Sequence, residues 1–429
     1  MVDYLNTILK NVELPEVVKI RQNFDRNYIE DIDVAVHETI SKSSLADKVR
    51  PGASVAIGVG SRGVAEIHKI ARATVNEVKR LGGKPFIVPA MGSHGNAIAE
   101  GQVRILNDYG VTEEYCGCPI RASMDVVCAG HMEDGTPVYF DRIASEADLI
   151  IPINRVKVHT DIVGNSGSGV MKLMVIGLGK HKGASTIHRR GLPVLKRSLI
   201  EASKIIMDTM PIAIGIAVVE NAYHQPAIIR ALEPETLQEE ELKLFAKSKE
   251  LMASLPADQI DFLLAEQFGK DISGSGLDTN IIGRMGVWRE PEFERPAITK
   301  IVALHMTPEA HGNAVGIGLT DFTYQALVDS IDRDALNTNM LTATYVQRGM
   351  IPVTLANEEE AIKAAADTCW RQPYRDIRMM VIKNTAEIET LYVSVAMLEE
   401  MRSRSNVEII GEPMKLQFDE HHCFVPLEY

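Results

Sequence analysis

The chain has 429 residues, 45 of them basic and 58 acidic, so its formal charge is 45 − 58 = −13. That balance excludes a protein that coats nucleic acid, because neutralising phosphates needs clustered Lys and Arg. The longest basic step is His188-Arg189-Arg190. No apolar run reaches the ~20 residues of a membrane-spanning helix. The start, Met1-Val2-Asp3-Tyr4, lacks a charged-then-apolar leader, and five cysteines make no disulfide framework. A cytoplasmic globular protein with no membrane or nucleic-acid partner is the expectation.

The first fifty residues read as a lead-in, and alternating strand and helix follow. Ala53 to Gly58 is a strand. Val64 to Leu81 has helical spacing (Ile67, Ile70, Ala71, Val75, Val78) and stops at Gly82-Gly83. Pro85 to Pro89 is a second strand, Ala97 to Tyr109 a second helix, and Arg142 to Ala147 a short helix. Val126-Val127, Val138 to Phe140 and Leu149 to Ile153 read as further strands. Gly164 to Gly191, rich in Gly, Lys and His, reads as a long special loop of the kind that carries function. Leu195 to Met210 is helical, Ile212 to Val219 a strand, and Glu233 to Met252 a charged, solvated connecting helix.

A boundary is expected near Pro256, giving domains 1–255 and 256–429. In the second, Ile260 to Ala265, Ile298 to Leu304, Met379 to Ile382 and Val407 to Ile410 read as strands. Tyr324 to Ile331, Glu358 to Ala366 and Val393 to Met401 read as helices. The fold class is therefore α/β: two α/β domains with mainly parallel sheets and an active site in the cleft between them.

Gly58-Val59-Gly60-Ser61-Arg62-Gly63 matches G-x-G-x-x-G between a strand and a helix, the setting for an anion at a helix N-terminus. A dinucleotide site also wants a carboxylate at the end of the next strand. That strand ends Pro89-Ala90-Met91, which counts against NAD. Arg62 beside Gly60 and Ser61 still makes an anion cradle; the plain alternative is a tight turn with a solvated arginine. His94, in Gly92-Ser93-His94-Gly95, is a candidate acid/base or a turn histidine. His159, in Lys157-Val158-His159-Thr160-Asp161, follows another strand.

Gly164-Asn165-Ser166-Gly167-Ser168-Gly169-Val170-Met171-Lys172 fails the P-loop pattern, since Val170 and Met171 separate glycine from lysine. Lys172, among apolar neighbours, is a candidate covalent anchor, against the ordinary reading of a solvated lysine. His188 is a candidate metal ligand, and one protein histidine needs further donors from elsewhere. Cys116-Gly117-Cys118 with Cys128 falls short of the four thiolates an iron–sulfur cluster wants.

Taken in order, Arg62, His94, His159, Lys172 and His188 resemble the nickel-pincer lactate racemase family of 2-hydroxyacid racemases and epimerases. The resemblance covers roughly residues 50 to 190. It implies an isomerase that carries a nickel-pincer nucleotide on Lys172, with His188 on nickel. It implies His94 and His159 as the two acid/base residues, and Arg62, Ser61, Gly60 and Gly167 around the cofactor. The implied reaction is reversible hydride transfer from a 2-hydroxy acid, lactate-like or a sugar acid. Maturation enzymes would be partners, and protein made in a host without them is expected to lack the cofactor. Self-association stays open. Val59 stands where the family often has an acid, and no Tyr-Gln run with a following lysine comes after Gly269-Lys270-Asp271. An NAD(P)-dependent oxidoreductase and a non-catalytic binder of small molecules are the rival readings.

Overall fold

The structure, a computed structural model, describes residues 4–60, 64–158 and 167–429. The chain divides into two compact units, Asp25–Met252 and Met1–Phe24 with Ala253–Tyr429. The first 24 residues, placed with the first domain in the sequence reading, thus belong to the second unit. Strand β1, Val17–Gln22, pairs antiparallel with two strands near the C-terminus. Nothing local announces this, because β1 takes its partners from residues 390–394 and 407–409.

In the unit Asp25–Met252, the lead-in holds helix α1, Ile32–Ser41, whose N-terminus is capped by the Asp31 carboxylate accepting from Val34 N at 3.0 Å. Strand β2, Ser54–Val59, is buried from Val55 onward, which suits a strand covered on both faces. Helix α2, Ile67–Arg80, buries Ile67, Ile70, Ala71, Thr74, Val75 and Val78 as one stripe. Strand β3, Lys84–Pro89, follows, then helix α3, Ala99–Asp108. Strands β4, Val126–His131, and β5, Pro137–Asp141, form a separate antiparallel hairpin rather than joining the parallel sheet. Its turn is legible in Asp134-Gly135-Thr136, where Thr136 N donates to the Asp134 carboxylate at 3.0 Å.

Strand β6, Leu149–Arg155, returns to the sheet. The segment expected to be a loop up to Gly191 is instead helical from Val170 to His188. It runs as a helical turn, Val170–Lys172, a π-turn, Leu173–Gly177, and helix α4, Lys180–His188. The π-turn inserts an extra residue and breaks the 3.6-residue repeat, so the apolar positions show no simple period in the sequence. Helix α5, Leu192–Thr209, strand β7, Gly215–Glu220, strand β8, Pro226–Leu232, and helix α6, Leu237–Leu251, complete the unit. Helix α6 is more than a solvated connector: Leu237, Glu241, Leu244 and Phe245 are buried.

The sheet order is β3-β2-β6-β7-β8, parallel except for β8. The winding reverses between β2 and β6, and ligands of open α/β sheets bind outside the carboxyl ends at such a point.

The other unit has an eight-stranded sheet. It adds β9 (Gln259–Phe268), β10 (Ala297–Met306), β11 (Phe322–Tyr324), β12 (Val353–Leu355), β13 (Met379–Ile382), β14 (Thr390–Ser394) and β15 (Val407–Ile409). The order is β12-β11-β10-β9-β13-β14-β1-β15, parallel as far as β13 and antiparallel beyond. The helix expected from Val393 starts instead as the end of β14. Leu391, Tyr392 and Val393 are buried there, and β-branched and aromatic residues favour the strand.

Candidate functional site

The carboxyl ends of β2, β3 and β6 lead into Gly60, the loop Ala90–His94 and Asn154–Val156. Gly60 lies beside Leu173, the residue after Lys172. Ser61, Arg62 and Gly63 lie outside the described residues, so the arginine cradle has no observed geometry. His159 lies outside them too.

Lys172 is half-buried at the end of its helical turn. Three contacts that local sequence does not advertise hold this turn. The Asn154 side-chain amide donates to Gly169 O at 2.6 Å, tying β6 to the entry of the turn. Lys157 and Ser168 exchange backbone hydrogen bonds at 3.0 and 2.9 Å, pairing the exit of β6 with the entry of the turn. The Glu241 carboxylate, from α6, accepts from Val170 N at 2.6 Å and Met171 N at 3.1 Å. Gly167, expected at the cofactor, has a backbone role that needs no ligand: a Cβ there would collide with Lys157 O and the Phe245 ring.

Val156, Met171, Lys172, Leu199, Glu241 and Phe245 line a narrow slot of about 30 Å³. Burial pushes the Glu241 carboxyl up to about 7, against the two backbone N–H groups that favour its ionised form. Between the ordinary carboxylate range and pH 7 the folded chain then keeps a proton that the unfolded chain has lost. Stability on this account is greatest at acid pH, falls as pH rises from about 4.5 to 7, and levels off above. The total is on the order of 3 kcal/mol. Glu241→Gln should remove this fall, so urea midpoints of variant and wild type should diverge in the variant's favour between pH 5 and pH 8. Parallel pH curves would show that Glu241 does not titrate there.

Two further lysines of the segment, Lys180 and Lys182, differ sharply. Lys180 is fully buried and ion-paired with Asp141 at 2.8 Å, so its amine is not available to a bound group. Lys182 is exposed, with its ammonium 4.3 Å from the Tyr139 ring centroid. His188, the last residue of α4, is exposed, and so is His94, whose carbonyl is held by Gln102. Among the described residues, no cluster of three His, Cys, Asp or Glu side chains is placed to hold a metal ion. Cys116 and Cys118 are buried in the core, and burial pushes the Cys118 thiol up to about 11, as expected of inert thiols. Cys128 sits exposed in the β4–β5 hairpin.

At the end of β7, Glu220 is buried beside Arg155 at the end of β6. Burial opposes its ionisation, yet His224, Arg155 and the Ala65 amide hold the carboxyl down at about 2. Ala65 N donates to it at 2.8 Å, fixing the exit of the loop after Gly60. Asn154, Glu220, Glu241 and Gln102 all escaped sequence reading, because their partners lie many residues away.

Residues 5–197 match the family described as lactate racemase N-terminal domain. No curated protein matches the chain. Among solved structures, the lactate racemase apoprotein from Thermoanaerobacterium thermosaccharolyticum is similar over 86% of this chain and 98% of its own, with a TM-score of 0.55 and 13% identity. That identity speaks for a shared fold. Residues 5–197 are therefore similar to a lactate racemase N-terminal domain, and the chain shares the fold of the solved lactate racemase apoprotein.

Proposed function

We propose that the protein is a racemase or epimerase of a 2-hydroxy acid that works with a nickel-pincer nucleotide held on Lys172. The observation that carries this reading is the segment Val170–His188, a helical turn, a π-turn and helix α4 joined through Leu178–Gly179. It presents a half-buried lysine at one end and an exposed histidine at the other, beside the carboxyl ends of β2, β3 and β6. The donor set fits such a group. One lysine amine can be acylated, and one imidazole suffices for a metal whose other donors come from the bound nucleotide. When bound, the cofactor supplies a reversible acceptor for the C2 hydride.

The chain's own residues supply binding and proton transfer. Lys172 holds the nucleotide, and His188 donates an imidazole lone pair to nickel. His94 and His159 take the hydroxyl proton from, and return it to, substrates of opposite configuration. Arg62 holds the substrate carboxylate or a cofactor phosphate bidentately.

The test is protein purified from a host with the maturation enzymes, assayed by intact mass, nickel content and turnover of 2-hydroxy acids in D2O. Added mass, nickel and racemisation without deuterium at C2 support the proposal, because a transferred hydride never exchanges with solvent. Deuterium at C2 points to proton abstraction instead. Nicotinamide-dependent turnover without nickel points to the NAD(P) reading.

A further inference from the structure

Lys180 begins α4 with φ +54°, a left-handed backbone conformation that is strained for a residue with a side chain. Its side chain is fully buried, as is that of Asp141 at the end of β5. Replacing a buried ion pair with apolar residues is often neutral or favourable, so stability alone is a poor account of this one. What the pair touches gives a better account.

The Lys180 ammonium lies 2.8 Å from the Asp141 carboxylate and donates to Pro89 O, at the end of β3, at 2.5 Å. It also donates to Gln102 Oε1 at 3.4 Å. Gln102, fully buried on α3, turns its amide nitrogen to Gly92 O at 3.0 Å and His94 O at 3.3 Å. The Gly92 amide donates in turn to Gly177 O, in the π-turn, at 3.0 Å. Gly92 has φ +59°, and a Cβ there would lie 3.1 Å from Ile176 O, so the loop sits directly on the π-turn. A single buried network thus joins the His94 loop to the helical segment that carries Lys172 and His188.

We infer that Lys180 is a positioning residue: through Gln102 and the Pro89 carbonyl it locks the His94 loop onto the Lys172–His188 segment. The inference rests on the proposed role of His94 in proton transfer. A network this buried and this fully directed at backbone carbonyls suits a loop that must hold one side chain to a fraction of an ångström.

Gln102→Glu is the most selective test. It leaves the Lys180–Asp141 pair whole and still accepts from Lys180, yet removes the donor to Gly92 O and His94 O. Lys180→Met removes the hub. If it fails to fold because Asp141 is left buried and unpaired, Lys180→Met/Asp141→Asn removes both charges together. Native-state hydrogen exchange on the protein without cofactor is read first. The Gly92 amide should lose about 10²-fold of its protection in each folded variant, while amides of β2 and β6 keep theirs. A Gly92 loss that only tracks the β2 and β6 amides, or no loss, overturns the inference and leaves a plain stabilising pair.

In loaded protein, kcat should then fall about 10- to 10²-fold with KM, nickel content and covalent mass unchanged. An unchanged kcat beside a freed loop also overturns it. Should loaded wild type turn over no 2-hydroxy acid, the proposed function falls, and exchange alone decides whether Lys180 holds the loop.

Discussion

Lys172→Ala is expected to leave the protein without any covalently held cofactor, seen in the intact mass as loss of the entire adduct. The proposed acyl bond is made to the Lys172 side-chain amine, which alanine lacks. Lys172→Arg should fare no better, because a guanidinium stays protonated and does not act as the acylated nitrogen. The neighbours limit the escape routes. Lys180 is committed to Asp141, Pro89 O and Gln102 in a fully buried network. The exposed Lys182, and Lys196, which lines the same slot as Lys172, are left as nearby amines, and an adduct surviving in Lys172→Ala but lost on the further change Lys182→Ala or Lys196→Ala would move the anchor to that residue. Folding should survive Lys172→Ala, since Glu241, Asn154 and the Lys157–Ser168 pairing hold the turn through backbone groups. A circular-dichroism melt close to that of the unloaded wild type checks this.

What the sequence disclosed follows from how local each signal is. The β2-α2-β3 unit was legible because its apolar positions repeat over a single strand or helix, and Gly82-Gly83 closes α2 nearby. From it came the carboxyl-edge placement of Gly60 and the His94 loop. Strand β1 was hidden because its partners lie more than 360 residues onward. The helical nature of Val170–His188 was hidden for a different reason: a π-turn offsets its two halves, and Gly, Lys and His mask an apolar face made of Val170, Leu173, Met174, Leu178 and Ile187. The candidate residues themselves came from their order along the chain. Their supports did not, because Glu241, Gln102 and Asp141 act across 70, 78 and 39 residues, respectively, on Met171 and Lys180. A buried carboxylate or amide in an amphipathic helix carries no mark of what it will face.

The sharpest separation of roles lies in the histidines. His94→Ala should cost turnover by roughly 10²- to 10⁴-fold, the usual range when a positioned proton-transfer group is lost. Its nickel should stay, because an acid/base acts on the substrate hydroxyl while the metal keeps its donors. His159→Ala should behave the same way. His188→Ala should instead lose nickel, or hold it loosely, and lose turnover with it. The structure sharpens the contrast between His94 and His188. His94 follows a β-strand, on a loop fixed through its backbone by Gln102, whereas His188 ends α4, where helix carbonyls favour a nearby cation. Replacing either exposed side chain removes little packing, so each variant should keep its fold and the comparison stays clean. Metal per chain and initial rate, measured on the same loaded samples, give two numbers per variant. If His94→Ala empties the protein of nickel while His188→Ala keeps it, the two roles are exchanged and His94, not His188, is the residue on the metal.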